Sequence, residues 1–251
     1  MINLNKTRNS ELNYAYDEVI HKEDATASRK FIANVFLWMF VALGVSAFAA
    51  YEFATVDSLR ALVIDPITHR GTGLGTIVMI APLAFIMVMS YGLNKLSYGV
   101  LVILFVAFAI IMGISLSYVL LAYTASSVLG VFITTSVVFA VMAVAGYTTN
   151  QDLTKFGAIL TMFLIGIIVA SAVNMFLGSS GLSLIITYIG VAVFVGLTAY
   201  NVQNLKRIGA SDDIEGGTKS KLGLIGALTL YLNFVNLFLM LLRLFGGGSR
   251  R

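Results

Sequence analysis

The sequence predicts an all-α fold: a polytopic membrane protein whose seven transmembrane helices form one domain. Three observations carry that prediction. Of 251 residues, 59% are hydrophobic and only 11% charged, whereas a soluble domain carries roughly 25% charged residues to cover its surface. No charge lies between Lys95 and Asp152, a gap of 56 residues, nor between Lys155 and Lys206, a gap of 50. Each gap holds two spans of about 20 residues and a short turn. The apolar runs are also continuous, whereas the strands of a membrane β-barrel alternate over about ten residues. Lipid offers the backbone no hydrogen-bond partner, so helices are the remaining way across. A soluble enzyme is excluded on the same ground. The absence of cysteine removes disulfides, thiolate metal sites and thiol catalysis.

Residues 1–30 read as a polar cytoplasmic N-terminal segment, mobile or lying as an interfacial helix, residues 31–245 as the transmembrane domain and 246–251 as a C-terminal tail. The first span, about 31–51, contains Ala47-Phe48-Ala49, which looks like a signal-peptidase site. However, 30 residues with five acids (Glu11, Asp17, Glu18, Glu23, Asp24) precede the run, which fits a retained anchor better than a short basic leader. The second span, 73–93, follows Gly71-Thr72-Gly73-Leu74-Gly75. Lacking the strand and helix context of a nucleotide loop, that stretch reads as a flexible lead-in. Pro82 removes a backbone donor midway and should bend the helix. The third span, 98–121, carries the small-residue face Ala109, Gly113, Ser117, suited to close helix contact. A tight turn at Thr124, Ala125 and Ser126 leads to the fourth, 127–147. The fifth, 156–177, and sixth, 182–202, flank Gly178-Ser179-Ser180-Gly181. Both turns are short enough to make their flanking helices antiparallel neighbours. The seventh span, 222–245, has Gly223 and Ala227 as a second small face, read as core packing. No repeat of 20 to 50 residues appears, which excludes a solenoid and gives no support to an inverted-repeat transporter.

Orientation follows from lysine and arginine in the loops. Lys6, Arg8, Lys22, Arg29, Lys30, Lys95, Lys155, Lys206, Arg207, Lys219 and Lys221 fall on one side; Arg60, Arg70, Arg243, Arg250 and Arg251 fall on the other. Eleven against five places the N-terminus in the cytoplasm and the C-terminus outside. A last segment that dips in and returns is the alternative. The +4 net charge is loop lysine and arginine obeying this rule, not a nucleic-acid footprint. Short loops point to a bacterial inner membrane.

Much chemistry has no residues to perform it. His21 and His69 sit outside the apolar runs, so no intramembrane imidazole can hold haem or zinc or relay a proton. The zincin, serine-hydrolase and phosphate-loop patterns do not occur. The seventh span lacks the lysine that a retinal Schiff base needs. All twelve acids lie outside the apolar cores or at their edges, as Glu52 does, and Asp212-Asp213-Ile214-Glu215-Gly216-Gly217 lacks EF-hand spacing and reads as a solvated loop. These features predict a protein that is not an enzyme and has no resident metal or cofactor.

Two faces remain polar. In the seventh span Thr229, Asn233, Asn236, Met240 and Arg243 follow steps of 4, 3, 4 and 3, which keeps them on one helical side. An unpaired amide in hydrocarbon costs several kcal/mol. The seventh helix should therefore face protein or water and lie inside the bundle. Arg243, near the span's end, can snorkel to the headgroups. In the sixth span Thr187, Gly190, Phe194, Thr198 and Asn201 form the matching face, followed by Gln203, Asn204, Lys206 and Arg207. Antiparallel packing would bring Asn201 and Asn233 to similar depth, with Asn233 deeper. The pair then reads either as an interhelical amide hydrogen bond, worth roughly 0.6–1.7 kcal/mol, or as a gate or permeation site.

The same segments carry a family resemblance. Gly196-Leu197-Thr198-Ala199-Tyr200-Asn201-Val202-Gln203-Asn204-Leu205-Lys206 resembles the end of the sixth helix of the Bax inhibitor-1, or transmembrane Bax inhibitor motif, family. Ala227-Leu228-Thr229-Leu230-Tyr231-Leu232-Asn233-Phe234-Val235-Asn236-Leu237-Phe238-Leu239, then Leu241-Leu242-Arg243, resembles its seventh. The motifs span about 30 residues; the seven-span architecture extends the likeness over most of the chain. The resemblance implies a seventh helix ringed by the other six and a calcium-permeable leak whose opening depends on pH. It ascribes the switch to two aspartates, at the positions held here by Asn201 and Asn233. Two adjacent carboxylates titrate as a coupled pair, whereas amides do not titrate near neutrality. The chain thus departs from the pattern at its switch, and the second span, where relatives often carry an acid, has none from Thr76 to Leu93. Arg243 matches a family arginine.

Two functions follow. One is an ion leak permeable to Ca²⁺, gated through Asn201, Asn233, Asn236, Arg243, Thr198 and Thr229, with weakened or lost pH sensing. The other is a non-conducting regulator of a membrane protein, such as the quality-control protease that some bacterial relatives modulate. Its handles would be the N-terminal segment and the loop before the seventh span.

Overall fold

The computed structural model describes the backbone of residues 4–68 and 70–248 and the side chains of 26–68 and 70–248. His69, Arg250 and Arg251, used in the sequence reading, lie outside the described residues, as do the side chains of His21 and the five N-terminal acids. The described residues form helices without strands: α1 (Leu4–Thr55), α2 (Asp57–Val63), α3 (Gly73–Gly92), α4 (Tyr98–Ala122), α5 (Ala125–Thr148), α6 (Thr154–Leu177), α7 (Ser180–Ala210) and α8 (Gly216–Phe245). Seven of these contain segments long and apolar enough to span a membrane; α2 does not.

Four helices start on hydroxyl caps. Thr72, Ser97, Thr124 and Ser179 each accept a backbone N–H two or three residues into the helix, from Gly75, Val100, Ser127 and Leu182. Each satisfies a donor that the first turn leaves without an intrahelical partner. α6 ends at Gly178, whose φ of 63° is left-handed and favours glycine.

The helices exceed the apolar runs at one end of the bundle. α1 begins far ahead of residue 31, α7 continues to Ala210 rather than 202, and α8 starts at Gly216 rather than 222. Hydropathy stops at the first charges, but helical hydrogen bonding does not. The Lys219 ammonium donates to Gly209 O and so caps the end of α7. Lys221 reaches Leu93 O at the end of α3, and Ser28 Oγ donates to Lys206 O, tying α1 to α7. These bonds gather the Arg29–Lys30 stretch of α1 and the lysine-bearing ends of α3, α7 and α8 at one face, called here the basic end.

α8 is the core of the bundle: two thirds of its most apolar window is buried, against about a tenth for α6. It packs chiefly on α1, α4, α5 and α7, while α3 leans on α4 and α6 on α7. The ring around it is therefore four helices, with α3 and α6 outside, rather than six. The small faces work as expected. A Cβ on Gly113 would strike the Ser46 backbone and Ala49 of α1, and one on Gly223 would meet Phe31.

Two further expectations fail. α4 and α5 do not pack along their lengths despite the tight turn. The aromatic side of α8 stands between them: Phe108 meets Tyr231 edge-on, and Phe132 meets both Phe234 and Phe238. A cleft of about 130 Å³ remains there. The turn is instead held by the tail, where Gly247 N donates to Ser127 Oγ at 2.9 Å and Tyr123 pairs with Gly248. Secondly, the glycine-rich lead-in is packed rather than loose. Tyr118 OH donates to Val63 O at 2.8 Å, and a Cβ on Gly75 would collide with both atoms. α6 and α7 are neighbours as expected, and Pro82 lies on the buried face of an uninterrupted α3.

Candidate functional site

The α7–α8 contact forms because each helix presents small residues to large ones. Gly190 leaves room for Met240, whose Cε and Sδ lie 3.0 Å from where a Cβ would sit, and Gly226 leaves room for Leu205. Those two contacts define an antiparallel register. It sets Asn201 level with Thr229, and Asn233 level with Leu197 and Thr198. The two asparagines are thus offset by about four residues, or about 6 Å along the axis, with Asn233 the deeper.

At that offset no hydrogen bond joins them. Asn233 is 5% exposed, and its Nδ2 is buried without a partner. Asn201 is half-buried. The other residues of the two stripes satisfy themselves within their own helices. Thr198 donates to Phe194 O at 2.7 Å, Thr229 to Ile225 O at 2.9 Å and Asn236 Nδ2 to Leu232 O at 2.8 Å. Arg243 is exposed at the opposite end of α8 from the basic end. The structure therefore brings Thr198 to the depth of Asn233 and Thr229 to that of Asn201, and leaves Asn236 and Arg243 farther along α8. Among the described residues, the amide nitrogen of Asn233 is the buried side-chain nitrogen or oxygen left without a hydrogen-bond partner, whereas buried polar groups in folded proteins are as a rule paired.

Two polar assemblies escaped the sequence reading. Ser46 of α1 donates to Ala109 O of α4 at 2.7 Å and bonds Tyr231 OH of α8 at the same distance, all buried. This triad ties the central helix to two of its neighbours. Tyr231 stands in the Leu-Tyr-Leu segment, but nothing in the apolar α1 marks Ser46 as its partner.

The second assembly lies at the basic end. Gln203 donates from Nε2 to Gln151 O at 2.7 Å and accepts from Leu153 N at 2.9 Å, clamping the α5–α6 loop to α7. Arg207 donates to Asp152 Oδ1 at 2.7 Å and to Thr154 Oγ1 at 2.9 Å. Hydrogen bonds from Thr154, then from Arg207, hold the Asp152 carboxyl well below the usual carboxylate range. Adjacent to this clamp, Lys206 Nζ donates to Tyr147 O and sits 5.0 Å from the centre of that ring. Among the described residues no three His, Cys, Asp or Glu side chains are placed to share a metal ion.

Comparison with known proteins covers nearly the whole chain. A family model described as inhibitor of apoptosis-promoting Bax1 matches residues 28–250. The inner membrane protein YbhL of Escherichia coli K12 is 45% identical over 217 residues, which is 86% of this chain and 91% of its own length. An uncharacterized protein of Borreliella burgdorferi is 38% identical over 227 residues, covering 90% of this chain and 95% of its own. An uncharacterized membrane protein of Streptococcus pyogenes serotype M3 is 31% identical over 233 residues, or 92% and 98%.

Proposed function

The chain belongs to the Bax inhibitor-1 family of integral membrane proteins, and from that membership we propose that it is a bacterial inner-membrane ion leak, permeable to Ca²⁺, gated where α7 meets α8. In this reading Asn201 and Asn233 stand at the two positions where the family resemblance implies aspartates. An amide pair keeps the size and hydrogen-bonding capacity of that gate but takes up no proton near neutrality. The leak proposed here therefore has little pH dependence between pH 6 and 8. It requires no cofactor and no catalytic residue.

The observation that carries the reading is Asn233 Nδ2, buried on the central helix without a partner. An orphaned amide in an apolar core costs about 1–3 kcal/mol. A movement of α8 that let water or an ion's hydration shell reach it would recover that energy. The inner-membrane location is proposed from the name of the Escherichia coli relative, and the cytoplasmic N-terminus from the excess of lysine and arginine at the basic end.

Ca²⁺ flux into proteoliposomes across pH 6 to 8 tests the leak. The expected result is flux that changes little with pH, and a steep pH dependence once Asn201→Asp and Asn233→Asp are combined. Steep dependence in the unaltered protein sinks the claim of lost sensing. Absence of flux at every pH sinks the leak and favours the second reading, a non-conducting regulator of a membrane partner. That reading draws on the self-satisfied hydroxyls and amide of Thr198, Thr229 and Asn236, which leave the α7–α8 seam packed shut.

A further inference from the structure

α1 and α5 both pack on α7 and α8 but not on each other. Between them, at the basic end, opens a groove of about 490 Å³. Its apolar walls include Ile32 and Phe36 of α1 and Ala143 and Tyr147 of α5, and Val202 of α7 forms its floor. Arg29 stands at its mouth. On one helix, Arg29, Ile32 and Phe36 follow each other by one turn, so the groove runs from a cation inward for about 10 Å along apolar surface.

Arg29 makes no hydrogen bond or ion pair among the described residues. Lys206, one turn beyond Val202, rests over the Tyr147 ring and spends one of its three donors on Tyr147 O. Ser28, beside Arg29, bonds the Lys206 carbonyl, which holds this turn of α1 against α7. Asp152, the acid on the adjoining loop, is already engaged by Arg207. A groove that opens sideways between two spans is filled from the bilayer, and a cation at the water boundary over an apolar slot selects an anionic headgroup above an acyl chain.

We infer that this groove is a binding site for one anionic phospholipid, whose phosphate sits at Arg29 and whose acyl chain lies along Ile32, Phe36 and Ala143. The site is separate from the α7–α8 seam and stands whether or not ions cross there. Bound lipid would bridge α1 and α5, which have no direct packing, and so stabilise the ring around α8.

The test is competitive lipid retention by the purified full-length protein, read by native mass spectrometry from an equimolar mixture of phosphatidylglycerol and phosphatidylcholine with identical chains. The intact protein is expected to retain phosphatidylglycerol about fivefold over phosphatidylcholine, the worth of roughly one near-surface cation. Arg29→Gln should bring the two lipids close to equal retention, Arg29→Lys should restore the preference, and Arg70→Gln, on the loop at the other end, should leave it unchanged. Ala143→Leu, which fills the slot, should reduce retention of both lipids. Equal retention by the intact protein overturns the inference, as does a preference that survives Arg29→Gln. Loss of lipid retention in millimolar inorganic phosphate also overturns it, because that marks a site for a free anion. Helix content by circular dichroism shows that each variant remains folded.

Discussion

Asn233 shows how a residue can be legible in position and illegible in its contacts. The spacing of the polar stripe placed it on an inward face, and burial there agrees. A hydrogen bond to Asn201 was one of two expectations, but the register set by Gly190 against Met240 and Gly226 against Leu205 leaves the two amides about four residues apart. Side-chain spacing within one helix says nothing of the axial shift between two. Because Nδ2 lacks a partner, Asn233→Leu, with the same count and branching of side-chain heavy atoms and without the orphaned donor, should stabilise the protein by about 1 kcal/mol or leave it unchanged. Thermal unfolding in detergent measures this, and a clear fall in the midpoint would mean that the amide has a partner in the folded state. The same measurement on Thr198→Val should show little change, since that hydroxyl only doubles a bond onto Phe194 O within its own helix.

Helices α5 and α7 cross so closely that a Cβ on Gly146 would strike the backbone of Ala199. Backbone cannot rotate aside as a side chain can, so Gly146→Ala must push the helices apart, at a cost of about 1–3 kcal/mol. Gly130→Ala on the same helix meets nothing within 4 Å, and it should be neutral or stabilising by up to about 1 kcal/mol. Urea or thermal unfolding of the pair separates close packing from helix propensity. The α5–α6 loop offers a second test. Its Asp152 is held ionised by Thr154 and Arg207, so its folded-state pKa is lowered. Its contribution is present above the ordinary carboxylate range and disappears as pH falls through that lowered value. A spin label at Asn150→Cys should keep the same mobility from pH 8 to pH 5 and loosen only in stronger acid, whereas Arg207→Gln should loosen it at pH 7. Loosening between pH 8 and pH 6 would contradict the Asp152 assignment. Of the hydroxyl caps, Thr124 and Ser179 fall in turns that the sequence marks, whereas the capping roles of Thr72 and Ser97 emerge only in the structure. The polar extensions of α7 and α8 were not legible in the sequence, because hydropathy reports the bilayer's thickness and not the helix's length.

For the molecule as a whole, the cysteine-free chain makes topology directly testable. Thr68→Cys in the first loop and Asp213→Cys before α8 are both exposed and lie toward opposite ends of the bundle. In intact cells a membrane-impermeant thiol reagent should label the first and spare the second, and the reverse pattern would invert the proposed orientation. Composition and the placement of charge determined that the chain is a membrane protein with seven runs long and apolar enough to cross, because charge is excluded from hydrocarbon wherever it cannot be paired. The polar stripe also determined that the last helix is the inner one. Tertiary structure alone decided which helices touch. Neighbours in sequence such as α4 and α5 are held apart by the aromatic side of α8, while α1, remote from it in sequence, lends Ser46 to Tyr231. The groove beneath Arg29 is likewise invisible in the sequence, since it exists only where two helices share partners without meeting. Apolar periodicity specifies that a face is buried; the shape of the opposing surface, a property of several segments at once, specifies against what.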